Sequence, residues 1–184
     1  MLSNDINQAI LFADYPVALK LISQQALHKT EVKGVRIVHN KADLVKEYAD
    51  LLRIALKHSI HIDGILVQKF EEGTEVFIGI KKDDTFGHVI GLGLGGIYVE
   101  QLKDVQWRKC PITEKDVMSM IEHLKMKDVI KGVRNQENNI KELTKTLVTL
   151  SQIPKKYPGL KEMDINPLIL DHKATVVDAR IVFE

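Results

Sequence analysis

Cys110 is the only cysteine among 184 residues, which excludes an intramolecular disulfide and a cysteine metal cluster. No histidine adjoins it, so it reads as a packed thiol rather than a nucleophile. The chain also lacks an excess of either charge. Lys and Arg total 26 against 25 Asp and Glu, a net charge of +1, so no whole-chain field points to nucleic acid or a membrane surface. No apolar run reaches the length that spans a bilayer, and there is no internal repeat or low-complexity linker. The stretch Met1–Pro16 has neither the basic start nor the cleavage site of a signal peptide, which makes a cytoplasmic, reducing location the expectation. What is present is 45% apolar and 28% charged, ordinary for a soluble globular protein. The length suits one domain, or two tightly joined lobes, with a core of its own.

Periodicity divides the chain into short elements. Ile6, Ala9, Ile10 and Ala13 recur at helical spacing after a cap at Asn4 or Asp5, and Tyr15-Pro16 stops that helix. Val17–Ile22 reads as a buried strand carrying one charge, Lys20. A polar loop over 23–34 leads to a strand at Val35–Val38. Leu44, Tyr48, Leu51, Leu52, Ala55 and Leu56 form an amphipathic helix. Ile65–Phe70 and Glu75–Ile80 read as a hairpin around residues 71–74. Val89–Leu92 runs into a glycine cluster at 91–96, and Leu102–Trp107 reads as a further strand. A helix starting near Thr113 continues to Ile130, another covers 140–150, and Met163–Leu170 with Thr175–Phe183 forms a closing hairpin. This order is mixed α+β with antiparallel hairpins, not a regular βαβ series.

Several residues could carry chemistry. Asp164 and Asn166 are two apart and share a strand face, and the returning strand brings Asp178 opposite them. Two carboxylates and an amide oxygen suit Mg²⁺ and leave room for phosphate oxygens. Arg180, on the same face as Asp178, suits a phosphate. The same spacing also fits an exposed polar face with a cross-strand ion pair. Lys20 needs a partner inside its apolar strand, and a nucleotide phosphate would serve, although a snorkelling lysine on an edge strand would look alike. The loop Leu27–Val35 is basic and ends near Gly34; Lys29 and backbone amides suit phosphates, and His28 suits phosphoryl transfer or simple solvation. Gly91, Gly93 and Gly96 match G-x-G-x-x-G, but the following residues do not open the long helix that a dinucleotide site requires. Glu100 and Asp104 follow, suited to positioning a phosphoryl carrier or to plain surface charge.

The order of these pieces resembles the ATP-grasp domain of ADP-forming acetyl-CoA synthetases and their NDP-forming acyl-CoA synthetase relatives. The matching stretches are Tyr15–Lys20, Leu27–Glu31, Gly73–Val76, Phe86-Gly87, Gly93–Ile97, Glu100, Asp104, Glu162–Leu168 and Asp178–Ile181. The D-I-N-P-L and D-A-R pair is the most specific, and is also similar to the metal-binding end of succinyl-CoA synthetase β chains. The resemblance implies an ATP-grasp fold of two α+β lobes with antiparallel sheets, approximately 17–70 and 71–184. The family has a further helix and strand before the position of Asn4, so an N-terminally shortened version is expected. Lys33 and Asn135 stand where the family often has glycine.

By resemblance, Lys20 and Lys29 meet ATP or ADP phosphates, Val67, Gln68, Lys69 and Phe70 line the adenine, and Glu75 lies near the ribose. Asn166 and Asp178, with Asp164 beside them, hold Mg²⁺, while His28, Glu100, Asp104 and Arg180 serve the transfer. The implied partner is a CoA-binding α subunit or domain carrying a phosphohistidine, in a heterotetramer. The implied activity is an acid–thiol ligase of the ADP-forming acyl-CoA synthetase type. A non-catalytic ATP-grasp module that binds nucleotide or a partner, and an NAD-binding oxidoreductase built on the glycine cluster, are the competing readings.

Overall fold

The computed structural model describes residues 1–23, 34–96, 103–132 and 138–184. The chain divides into two compact units, Met1–Phe70 and Glu71–Glu184. Each is an antiparallel sheet with helices on one face.

In the first unit the strands are β1 (Leu2–Ser3), β2 (Val17–Ile22), β3 (Val35–Val38) and β4 (Gly64–Lys69), ordered β1-β4-β2-β3. Helices α1 (Ile6–Phe12) and α2 (Lys41–Lys57) cover it. Asp5 caps α1 and Asn40 caps α2, each side chain accepting a free first-turn N–H. Leu44, Tyr48, Leu51 and Ala55 form the buried stripe of α2 and join Val17, Leu19, Leu21, Ile65 and Val67 in one core. The Tyr48 hydroxyl donates to the Ser3 carbonyl at 3.2 Å, so the large ring is buried without stranding its polar end.

The second unit holds β5 (Thr74–Asp83), β6 (Gly87–Leu94), β7 (Val105–Lys109), β8 (Leu160–Leu170), β9 (Ala174–Val176) and β10 (Ala179–Phe183). The sheet order is β10-β8-β5-β6-β7, with β9 also on β8. Helices α3 (Glu114–His123), α4 (Lys127–Lys131), α5 (Ile140–Leu150) and α6 (Ile153–Lys156) complete it. Apolar residues alternate along the central strands, and β8 changes phase once, between Ile165 and Leu168, where its register on β5 shifts. Val76, Ile78, Ile80, Ile90, Leu92, Met163 and Ile165 enter a core with Val117, Met120, Ile121, Leu143 and Leu147 from the helices. Thr113 and Asp116 form a reciprocal capping box at α3.

Two expectations are corrected here. Residues 65–80 do not form a hairpin, because β4 pairs with β1 and β2 whereas β5 pairs with β6 and β8. The turn between them is the boundary of the units. The long helix from Thr113 to Ile130 is two helices, since the chain leaves helical geometry at Leu124 (ψ 137°) before α4 begins. No helix among the described residues is long and apolar enough to cross a membrane.

Candidate functional site

Strand β8 builds the centre of the site. Met163 and Ile165 face the core, so the two-residue period turns Asp164 and Asn166 to the open face. The return through β9 and β10 keeps one register across the interruption at 177–178: Leu168 opposes Val176, Ile165 opposes Ala179, and Asp164 opposes Arg180. Asn166 therefore lies level with Asp178, and the Asn166 N–H donates to the Asp178 carbonyl at 3.1 Å. The Pro167 carbonyl accepts from the N–H groups of Val177 and Asp178 at 3.1 and 3.4 Å. Asp178 is thus fixed by backbone bonds against the strand that carries Asp164 and Asn166.

The electrostatics single out Asp164. Its Oδ1 is buried and has no hydrogen-bond partner among the described residues. Burial pushes its carboxyl above the usual carboxylate range; the nearby Glu162 and Asp178 charges add to that, and Arg180 opposes it. A desolvated carboxylate with an unused oxygen and a second carboxylate nearby is destabilised as an anion, and a divalent cation reverses that cost. The donor set of two carboxylates and an amide oxygen fits Mg²⁺. Among the described residues no three of His, Cys, Asp and Glu gather as a cage. Arg180 lies 3.8 Å from Glu162, and both are partly solvated, a weak pair that leaves the guanidinium usable.

Sequence reading missed a neighbouring feature. A concavity of about 360 Å³ beside Asp164 is lined by Phe77, Gly79, Lys81, Trp107 and Glu162. A Cβ on Gly79 would meet the Phe77 ring at 2.7 Å, and one on Gly91 the Trp107 ring at 2.8 Å. Bare backbone therefore lets both rings lie close against the sheet. Lys81 Nζ stands 4.8 Å from the Trp107 ring centre, a cation–π distance. The signal that could have found this was glycine inside two strands, which marks close approach.

The other named residues are distributed as follows. Lys20 is 6% exposed and alternates away from the helix-side core, opposite Leu66, on the face shared by Ala18 and Gln68. Val67 lies wholly in the core, and its N–H and carbonyl are bonded to Met1. Lys69 is exposed and Phe70 half-buried; the Phe70 N–H donates to the Pro16 carbonyl at 3.0 Å. Glu75 is the second residue of β5, with its carbonyl accepting from Gly95 N–H at 2.7 Å. Asp104 accepts from the Met126 N–H at 3.1 Å, which ties the approach to β7 to the start of α4. His28, Lys29 and Glu100, like Lys33 and Asn135, lie outside the described residues. The glycine cluster ends an antiparallel strand paired with β5 and β7, not the parallel strand of a dinucleotide fold.

A family model described as the ATP-grasp domain matches residues 3–183. This chain belongs to the ATP-grasp family. Its α+β architecture with antiparallel sheets is that of its ATP-grasp neighbours. The β subunit of ADP-forming acetate–CoA ligase II from Pyrococcus furiosus is 39% identical over 197 residues, covering the whole ATP-grasp chain and 83% of that subunit. The dinucleotide-forming acetyl-coenzyme A synthetase 1 of Ca. Korarchaeum cryptofilum, in complex with coenzyme A, Ca-AMPCP and HgCl⁺, superposes with a TM-score of 0.91 at 33% identity. That match covers the whole chain and 84% of the other. Another structure of that enzyme holds coenzyme A and Mg-AMPPCP, with a phosphohistidine segment pointing towards the nucleotide-binding site. It matches at a TM-score of 0.80 and 31% identity, over 100% and 85% of the two chains.

Proposed function

We propose that this ATP-grasp chain is the nucleotide-binding β subunit of an ADP-forming acyl-CoA synthetase. The overall reaction is acyl-CoA + ADP + phosphate ⇌ carboxylic acid + CoA + ATP. The chain binds ADP or ATP and aligns the terminal phosphate for exchange with a phosphohistidine on a CoA-binding α subunit or domain, the two assembling as a heterotetramer. The observation that carries this reading is the level pairing of Asn166 with Asp178 beside the unsatisfied Asp164 oxygen. The names of the relatives support the reaction class, and the Mg-AMPPCP complex of the neighbour supports the cofactor.

In this reading Asn166, Asp178 and Asp164 hold Mg²⁺, which neutralises charge on the phosphate oxygens when bound. Lys20 is assigned to the phosphates, with Lys29 from the segment before β3. Gln68, Lys69 and Phe70 are assigned to the base, and Glu75 to the ribose. Arg180, opposite Asp164, steadies the transferring phosphoryl group, His28 and Glu100 serve the transfer, and Asp104 acts by holding the approach to β7. Positioning and charge neutralisation supply most of the catalysis, because phosphoryl transfer needs little covalent help from the protein.

Calorimetric titration with ADP and ATP, with and without Mg²⁺, tests it on the intact chain and on Asp178→Ala. Magnesium-dependent nucleotide binding that drops at least ten-fold in the variant is expected, with the circular dichroism spectrum unchanged. A chain that binds nucleotide equally with and without the metal loses the metal assignment. One that binds no nucleotide loses the catalytic role as well.

A further inference from the structure

Asn166 has a problem that its two carboxylate neighbours do not. The ends of its amide group are nearly the same size, but only the oxygen can ligate a cation; the reversed group presents two N–H donors instead. The last side-chain torsion of asparagine is broad, so strand geometry alone does not choose between them.

We propose that Gly96 is a positioning residue that makes this choice. Its backbone N–H donates to Asn166 Oδ1 at 2.8 Å. A backbone N–H can be received only by the oxygen, so the bond fixes the amide with Oδ1 inward and leaves that oxygen one lone pair for a cation. The proposal rests on the reading that Asn166 is a Mg²⁺ ligand.

The route by which Gly96 reaches Asn166 explains why the chain uses glycine there. Asn166 is on β8 and Gly96 follows β6, while β5 lies between those strands. The segment leaving β6 must therefore fold back across the start of β5. The Gly95 N–H anchors it to the Glu75 carbonyl at 2.7 Å, and a Cβ on Gly95 would meet the backbone of Glu75 and Val76 at 3.0 Å. Gly96 then turns with φ +61°, the left-handed region, and a Cβ on it would fall on the Glu75 carboxylate. Both residues are bare so that backbone can cross backbone and aim one N–H at one side-chain oxygen. An outer-shell hydrogen bond that orients a ligand is worth ten- to a hundred-fold in metal affinity.

The test is a cycle of substitutions on the full chain, read by calorimetry of ADP binding during Mg²⁺ titration. Gly96→Ala is expected to raise the Mg²⁺ concentration for half-maximal effect about ten-fold, over and above any change in metal-free ADP affinity that its Cβ causes by displacing the Glu75 carboxylate. In an Asn166→Asp background both ends of the side chain are oxygen, so nothing has to be chosen, and adding Gly96→Ala should cost less than about three-fold. An equal penalty in both backgrounds would show that the alanine merely distorts the loop, and would overturn the proposal. So would a Gly96→Ala chain that titrates like the parent while Asn166→Ala abolishes the Mg²⁺ effect. If the parent chain itself shows no Mg²⁺ effect, the metal reading falls first and this inference with it.

Discussion

The two sheets are built alike on their helix sides and differently on their open sides. Under the helices, both present Val, Leu and Ile at alternate positions and bury them almost completely. On the open side of the first sheet the register places Ala18, Lys20, Leu66 and Gln68, flanked by Val35 and Ile37 from the edge strand β3. Lys20 is the one charged side chain in that group. The second sheet presents the row Arg180, Asp164, Gly79, Gly91 and Trp107, with Glu162 and Lys81 in the next row. Among the described residues, one face is mostly apolar, with Gln68 and Lys20 as its polar side chains. The other mixes opposite charges with bare backbone and two aromatic rings. The same architecture thus yields one open face that is mostly apolar and another that is rich in charge.

Emptying one core position in each unit gives the largest expected effect. Leu44→Ala removes a fully buried side chain from the first unit and Ile78→Ala one from the second. Each should lower the stability of its own unit by about 2–5 kcal/mol. Two separate thermal transitions, only one of which moves in each variant, would sharpen the comparison; a single transition moved equally by both would break it. Next is the contrast between the open faces. Lys20→Met keeps the length and removes the charge, and should weaken ADP binding about 10- to 100-fold by calorimetry, roughly 1.4–2.7 kcal/mol. Its Mg²⁺ requirement should stay that of the parent chain, since the proposed metal donors sit on the other sheet; a changed requirement would refute that division of labour.

The smallest effect concerns pH. Burial pushes the Cys110 thiol up to about 11, so between its ordinary value near 9 and that value the native second unit keeps a proton that the unfolded chain releases. Stability is therefore expected to fall as pH rises from about 9 to 11, by about 1 kcal/mol once solvent screening of the half-exposed thiol is discounted from the full shift. Cys110→Ser should flatten that slope in denaturant melts. In the first unit the Tyr48 hydroxyl is also pushed up by burial, but from a starting value near 10, so its loss begins later. An alkaline loss that appeared first in the first unit would contradict this order.

The elements that the sequence made legible are those whose signal is local. The α2 stripe follows from helical spacing, the buried β2 from its apolar run, and the shared face of Asp164 and Asn166 from the period of a strand. The level position of Asp178 needed only a closing turn of ordinary length. What stayed illegible depends on partners far away in the chain. Residues 71–74 look the same whether the strands beside them pair or part, so β4 and β5 were read as one hairpin. The apolar spacing through 124–126 continues although the helix does not. The Gly96–Asn166 bond joins positions 70 residues apart, and the seat of Trp107 on Gly91 depends on the register between β6 and β7. The glycine cluster announced that backbone approaches something closely, but not what it approaches.

Strand β8 is paired along both edges, to β5 on one side and to β9 and β10 on the other. Its inward residues Met163 and Ile165 interleave with Asp164 and Asn166, so no short stretch carries the proposed ligands without also carrying the core. Breathing of this strand then requires two ladders to open together, which places it among the last segments of its unit to exchange with solvent. Stability and ligand geometry are consequently inherited as one trait: a substitution that loosens the centre of this sheet also loosens its grip on whatever the open face holds, and neither can drift far alone.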